Sequence, residues 1–273
     1  MLTFLTIDEN RTKGFLPLRD KVLTELKSAE GIDVKHIKYI HKRGRIRWDK
    51  IKKYAGDESE RLLTPESLVL PKECGLRRFE CHELKARFCI NTAIGVLKLL
   101  KDFKGSIKVA VFDPDGTVAD SAEILLKYTQ SLMVVTRMTG IYGAEAERIL
   151  SESGAVLSVS KRLKSLSSAQ LIVAPHRLMV QLPVEKNAVI LTSAIPGVSQ
   201  RCGVYYRYFF SLSEELLKLL PQGFDAEYLA SALYTLKGRF DLGSIMPQAV
   251  KGEGLVHTLV SLSKYLMNIS LNT

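Results

Sequence analysis

The chain has 273 residues, 46% of them apolar and 25% charged, a globular average that excludes disordered, collagenous and coiled-coil classes and leaves room for two medium domains with full cores. No apolar run reaches the roughly 18 to 20 residues of a bilayer span, and Asp8 and Glu9 interrupt the N-terminus before a signal-like stretch develops. Four cysteines without a C-x-x-C spacing read as reduced thiols, so the expectation is a cytoplasmic protein with no membrane partner. The net charge of +10 is uneven: residues 1–105 hold 23 Lys and Arg against 15 Asp and Glu, and the remaining 168 residues hold 16 against 14. That asymmetry places a boundary near Gly105.

In chain order, the pattern predicts a strand over 2–7, an amphipathic helix over 18–29 and an alternating strand over 34–40. Within 35–53, Lys35, Lys38, Lys42, Arg43, Arg45, Arg47, Lys50, Lys52 and Lys53 stand against the single acid Asp49, interleaved with Tyr39, Trp48 and Tyr54. Cations neutralise phosphates and aromatic faces stack on bases, so one reading of 35–53 is a nucleic-acid partner. The plainer reading is a solvated hairpin or strand-to-helix turn around Gly44, with Ile37, Tyr39, Ile46 and Trp48 packed inward. A loop through Gly56, Pro65 and Pro71 leads to a helical pattern over 82–103, more apolar than a surface helix requires, which suggests a place between two domains.

After Gly105 strands and helices alternate: strand 107–112, helix 118–128, strand 132–136, helix 142–153 ended by Gly154, strand 155–159, then strands 171–174 and 188–191. Short apolar runs separated by helices imply parallel strands joined by crossovers, a doubly wound sheet. The tail predicts helices over 213–220, 226–237 and 254–267. The expected fold class is α/β: a basic α+β domain over 1–104, a Rossmann-like domain over 105–200 and a helical segment over 201–273 that packs back. Tyr205, Tyr206, Tyr208, Phe209 and Phe210 form an aromatic cluster expected at the sheet edge or against a partner subunit, which leaves a homo-oligomer open.

Open α/β sheets bind ligands at the carboxyl ends of their strands, so the turn after Phe112 is the first candidate site. It reads Asp113-Pro114-Asp115-Gly116-Thr117-Val118-Ala119-Asp120-Ser121. With Val109-Ala110-Val111-Phe112 before it, this resembles the first motif of the haloacid dehalogenase superfamily, an apolar strand running into D-x-D-G-T. The resemblance implies a magnesium-dependent phosphohydrolase, with Asp113 as nucleophile and metal ligand and Asp115 as general acid/base. Val134-Val135-Thr136 is similar to the second motif, where Thr136 would hold the phosphate. The later acidic pair of that superfamily has no counterpart, because strand 171–174 runs into Pro175-His176-Arg177 and strand 188–191 into Thr192-Ser193. Read from the residues alone, Asp113 and Asp115 shape a tight loop and Thr117 caps the following helix.

A second resemblance covers more of the sequence. Asn91-Thr92-Ala93-Ile94-Gly95-Val96-Leu97-Lys98-Leu99-Leu100, followed by Lys104-Gly105-Ser106-Ile107-Lys108-Val109-Ala110-Val111, is similar to the junction in methylenetetrahydrofolate and shikimate dehydrogenases, where a catalytic-domain helix enters a Rossmann domain. Thr136-Arg137-Met138-Thr139 resembles their Asn-Arg-Thr, which implies NADP with Arg137 facing its 2′-phosphate. The phosphate loop departs from theirs, with Asp113-Pro114-Asp115-Gly116-Thr117-Val118 standing in place of the glycine-rich G-x-G-x-x-G; the two acids repel a pyrophosphate and Pro114 has no N–H to offer it.

Together these readings point to a divergent Rossmann-like protein binding a small molecule near 113–117, through Gly116, Thr117, Thr136, Arg137 and His176, with its activity open. NADP and magnesium are the cofactors that the two resemblances imply. Cys74, Cys81, His82 and Cys89 are spaced by seven and eight residues, unlike zinc knuckles, and read as incidental thiols. No G-x-S-x-G, P-loop or H-E-x-x-H occurs.

Overall fold

The computed structural model describes residues 1–9, 20–41, 45–80, 83–103, 105–130, 132–236 and 246–271. In sequence order its elements begin with β1 (Leu2–Glu9), β2 (Lys21–Ala29), β3 (Ile32–His41), α1 (Trp48–Ala55) and α2 (Glu83–Leu99). There follow β4 (Val109–Phe112), α3 (Ala122–Leu126), β5 (Leu132–Val135), α4 (Thr139–Ser153), β6 (Leu157–Ser160), β7 (Leu171–Ala174) and β8 (Val189–Thr192). The tail supplies β9 (Gly203–Phe209), α5 (Glu214–Leu217), α6 (Ala226–Leu236), β10 (Ala249–Gly252), β11 (Val256–Thr258) and α7 (Leu259–Leu271). The residues pack into two units, Met1–His82 with Leu212–Arg239, and Glu83–Ser211 with Phe240–Thr273.

The first unit is built on a three-stranded sheet in the order β1-β3-β2, with β1 parallel and β2 antiparallel to β3. Residues 21–29, expected from their spacing to be helical, form strand β2 instead, and 18–19 lie outside the described residues. The cause is tertiary. Glu30 and Gly31 both take positive φ (51° and 72°), the geometry of a two-residue hairpin turn, and the turn delivers residues 21–29 to the edge of β3. In β3 the predicted alternation holds over Ile37, Tyr39 and His41, which are buried between half-buried neighbours, while Val34 is buried on the other face. In α1, Ile51 and Ala55 pack with Leu5, Ile37, Tyr39, Leu62 and Leu76, while Ile46 and Trp48 are half-buried against the same core. Gly44 lies outside the described residues. Helix α6 closes this unit: the Tyr228 hydroxyl donates to the Phe79 carbonyl at 2.7 Å, and Phe224 meets Phe4 edge-on with centroids 4.7 Å apart.

The second unit holds an eight-stranded sheet in the order β11-β10-β9-β8-β7-β4-β5-β6. From β6 to β9 all neighbours are parallel, and β10 and β11 continue antiparallel at the far edge. Counted from β4, the six parallel strands run 3-2-1-4-5-6, the Rossmann order. This is the expected α/β class. The parallel strands are covered on both faces. Val109, Val111, Val134, Leu171, Val173 and Leu191 face a core shared with α2, α3, α4 and α7, and Ala110, Val135, Ile172, Ala174 and Ile190 face Leu166, Leu178 and Leu182 from the other connections. Two-sided burial explains why these strands are continuous apolar runs rather than alternating ones.

Helix α2 belongs to this unit and packs on β7, β8 and α7, which accounts for its apolar excess. The stretch after 200 contains the expected helices and also strands β9, β10 and β11. Tyr205, Tyr206, Tyr208 and Phe209 of the aromatic cluster lie in β9, an interior strand rather than the sheet edge, with Tyr205 buried and Phe210 just beyond it; the last helix starts at Leu259 rather than 254 because residues 256–258 pair with β10. On its other side β10 lies close to β9 at Gly252, where a Cβ would lie 1.9 Å from the Val204 carbonyl oxygen. No helix among the described residues is long and apolar enough to cross a membrane.

Candidate functional site

Strand order reverses between β4 and β7, so the loops that follow these two strands flank the crevice where α/β sheets place ligands. The first loop is closed by its own backbone: Asp113 N–H donates to the Val135 carbonyl at 3.1 Å, and Gly116 N–H to the Asp113 carbonyl at 3.4 Å. Gly116 takes a φ of 72°, and a Cβ there would come within 3.1 Å of Met138 Cβ, so the turn calls for glycine on both counts.

This turn aims the Asp113 carboxylate inward, where it is fully buried. Its Oδ2 accepts from the Val118 N–H at 2.9 Å and from the Tyr142 hydroxyl at 2.8 Å. Its Oδ1 lies 3.4 Å from the Thr117 hydroxyl, which donates to it, and 3.3 Å from His176 Nε2. The Thr117 hydroxyl and His176 Nε2 are themselves 2.8 Å apart. Burial alone would raise the Asp113 carboxyl, but hydrogen bonds from His176, Val118 N–H, Tyr142 and Thr117 N–H outweigh it and hold the group at about 2. The same pairing raises His176 above its ordinary value, with its own partial burial opposing. Burial and the adjacent Asp113 charge keep Tyr142 a neutral donor.

His176 follows β7, and its carbonyl accepts the Thr192 hydroxyl at 2.7 Å from the end of β8. Thr192 in turn offers its carbonyl to the Tyr208 hydroxyl at 2.9 Å, so the carboxyl ends of β7 and β8 are tied to β9. The His176 side chain is 37% exposed, and its Nδ1 makes no hydrogen bond with the described residues. On the other side of the loop, buried Arg87 of α2 grips Asp120 at 2.7 Å and Ser121 at 2.6 Å, fixing the start of the helical turn after Val118.

Of the residues picked from sequence, the fold brings Asp113, Thr117 and His176 together. Asp115 and Arg137 pair with each other at 2.7 Å on the well-exposed rim. Thr136 is buried, and its hydroxyl accepts the Met138 N–H at 2.9 Å just ahead of α4. Tyr142 and Arg87 escaped the sequence reading; each lies far in sequence from its partner, and nothing in the spacing links them.

This donor set does not fit magnesium, which demands several oxygen ligands in near-octahedral geometry. Each Asp113 oxygen already has two partners, and Asp115 is turned to Arg137. Nor does it fit a pyrophosphate, because the Val118 and Thr117 N–H groups that would meet phosphate oxygens point at the Asp113 carboxylate.

In the basic segment several cations are engaged within the unit. Lys38 pairs with Asp8 at 2.7 Å, Arg47 with Asp49 at 3.2 Å, Lys50 donates to the Asp20 carbonyl at 2.9 Å and Lys35 to that of Tyr54. Lys42 and Arg43 lie outside the described residues, as do Cys81 and His82. Burial pushes the Cys89 thiol up to about 12, and among the described residues no three His, Cys, Asp or Glu residues come together to hold a metal.

No family model matches the chain, and no curated protein matches it. Among solved structures the chain is similar to the A chain of dipicolinate synthase from Bacillus subtilis, at 15% identity and a TM-score of 0.30, over 85% of this chain. The match covers 62% of that protein's chain, so this chain spans less than two thirds of its length.

Proposed function

We propose that this protein binds a small molecule in the crevice between β4 and β7, and that the ligand offers a carbonyl or carboxylate oxygen to His176. The observation that carries the reading is the seating of His176: a buried carboxylate holds its Nε2 and raises its pKa, while Nδ1 is left without a partner among the described residues. Asp113 has a second effect. Its carboxylate occupies the N–H groups of Thr117 and Val118 that a dinucleotide phosphate would use, so the bound molecule is not an ordinary NAD or NADP.

The test titrates the protein with simple 2-oxo acids, with NADP, and with magnesium plus a fluoride phosphate mimic, following the His176 ring nitrogens by NMR and the thermal midpoint. A 2-oxo acid is expected to perturb His176 and, near 100 times its dissociation constant, to add about 2.7 kcal/mol, a shift of a few degrees. An NADP or magnesium–fluoride shift of that size, or an unperturbed His176 in every titration, would sink the reading.

A further inference from the structure

A cavity lies at the opposite end of the sheet from His176. It opens where β8 and β9 begin and has a volume of about 520 Å³, within the range of small-molecule sites. Its lining includes Lys186, Tyr205, Tyr206, Glu253, His257 and Tyr265.

The rings make a continuous wall. Tyr205 meets His257 edge-on with centroids 5.6 Å apart, and His257 meets Tyr265 at 6.0 Å. Tyr205 is buried as a residue and lines the cavity, and its hydroxyl hydrogen-bonds none of the described residues. The charges are also uncommitted: Lys186 and Glu253 are exposed and neither forms an ion pair among the described residues. The shape depends on an irregularity in β10. The register shifts between Lys251 and Gly252, and Gly252 presses so close to Val204 that the following turn, with Glu253 and Leu255, becomes part of the cavity wall.

We propose that this cavity binds a zwitterion built on an aromatic ring, the chemistry of a free aromatic amino acid. The ring packs against Tyr205, His257 and Tyr265, the carboxylate is drawn to Lys186 and the ammonium to Glu253. One loose cation and one loose anion on an aromatic wall match a ligand carrying both charges and disfavour a plain anion, which Glu253 repels, or a plain amine, which Lys186 repels.

The test is saturation-transfer NMR on the 273-residue chain with millimolar L-tryptophan or L-tyrosine, and with N-acetyl-tryptophanamide as the uncharged comparison. Ring protons of at least one amino acid are expected to receive saturation, with the amide binding more weakly. Lys186→Ala and Glu253→Gln, both at exposed positions that leave the core intact, are each expected to weaken binding about threefold, the scale of one solvent-accessible charge contact. Absence of transfer to both amino acids overturns the proposal. So does an amide that binds as tightly as tryptophan, or binding that neither charge substitution weakens.

Discussion

Asp113 illustrates how a carboxylate at the mouth of a Rossmann sheet can stabilise the loop that would otherwise carry a ligand. Donors surround both of its oxygens, and the Asp113→Asn amide must turn an NH2 group toward those on one side. A buried donor left facing another donor costs about 2 kcal/mol, so this variant is expected to lose that much stability by urea unfolding. A phosphohydrolase would behave differently, losing turnover with its fold intact. The pH dependence carries a definite sign. Because the folded Asp113 pKa of about 2 lies below its ordinary 3.8, its contribution, about 2 kcal/mol, is complete above the ordinary value and disappears as pH falls toward the folded one. His176 runs the other way: with a raised pKa, its side of the same ion pair is present below 6.5 and fades as pH rises through the folded value. Urea midpoints taken at about pH 5 and again near pH 2.5 should therefore fall further for the natural protein than for Asp113→Asn. Equal losses would mean that the carboxylate is not held as described. Asp113, Thr117 and His176 were legible in the sequence because strand ends and turn chemistry mark them, whereas Tyr142 enters through the packing of α4, which no local pattern encodes.

At the level of elements, the parallel strands were legible because two-sided burial writes itself as short runs such as Leu171-Ile172-Val173-Ala174. The misread elements are those whose partners lie outside the local window. Residues 21–29 carry helix-compatible spacing, but the hairpin through Glu30 and Gly31 commits them to β3. Residues 249–258 are too short to declare themselves as strands and become so only beside β9. The hairpin turn also contains a correctable strain, since Glu30 is the one non-glycine residue among those described with positive φ. Asparagine tolerates that conformation better and forms the preferred Asn-Gly turn, so Glu30→Asn should stabilise the protein by about 0.5 kcal/mol, seen as a higher urea midpoint with an unchanged slope. A lower midpoint would show that the contact of Glu30 with the Ser213 hydroxyl outweighs the backbone strain.

The whole molecule is organised as an insertion. Composition puts a boundary near Gly105, but surface charge and packing are separate properties, and the contacts group Glu83 onward with the sheet. The second unit is interrupted after Ser211 and resumes with β10, which lies antiparallel beside β9; Gln248 N–H donates to the Phe209 carbonyl at 2.7 Å and its side chain to the Ser211 hydroxyl at 2.8 Å. The two ends of the interruption are therefore hairpin neighbours. The inserted helix α6 buries Leu229, Ala230 and Leu233 and is grouped with the first unit, where the Tyr228 hydroxyl donates to the Phe79 carbonyl. A fragment of residues 83–273 would expose that apolar face with nothing to cover it, three side chains worth roughly 1 to 3 kcal/mol each when buried, and should aggregate. Replacing residues 212–245 by a short Gly-Ser linker removes the face and keeps the β9–β10 hairpin, so the shortened fragment should elute as a single soluble species and unfold cooperatively. If the unmodified 83–273 fragment is instead equally soluble and equally cooperative, the return segment does not depend on the first unit for its burial.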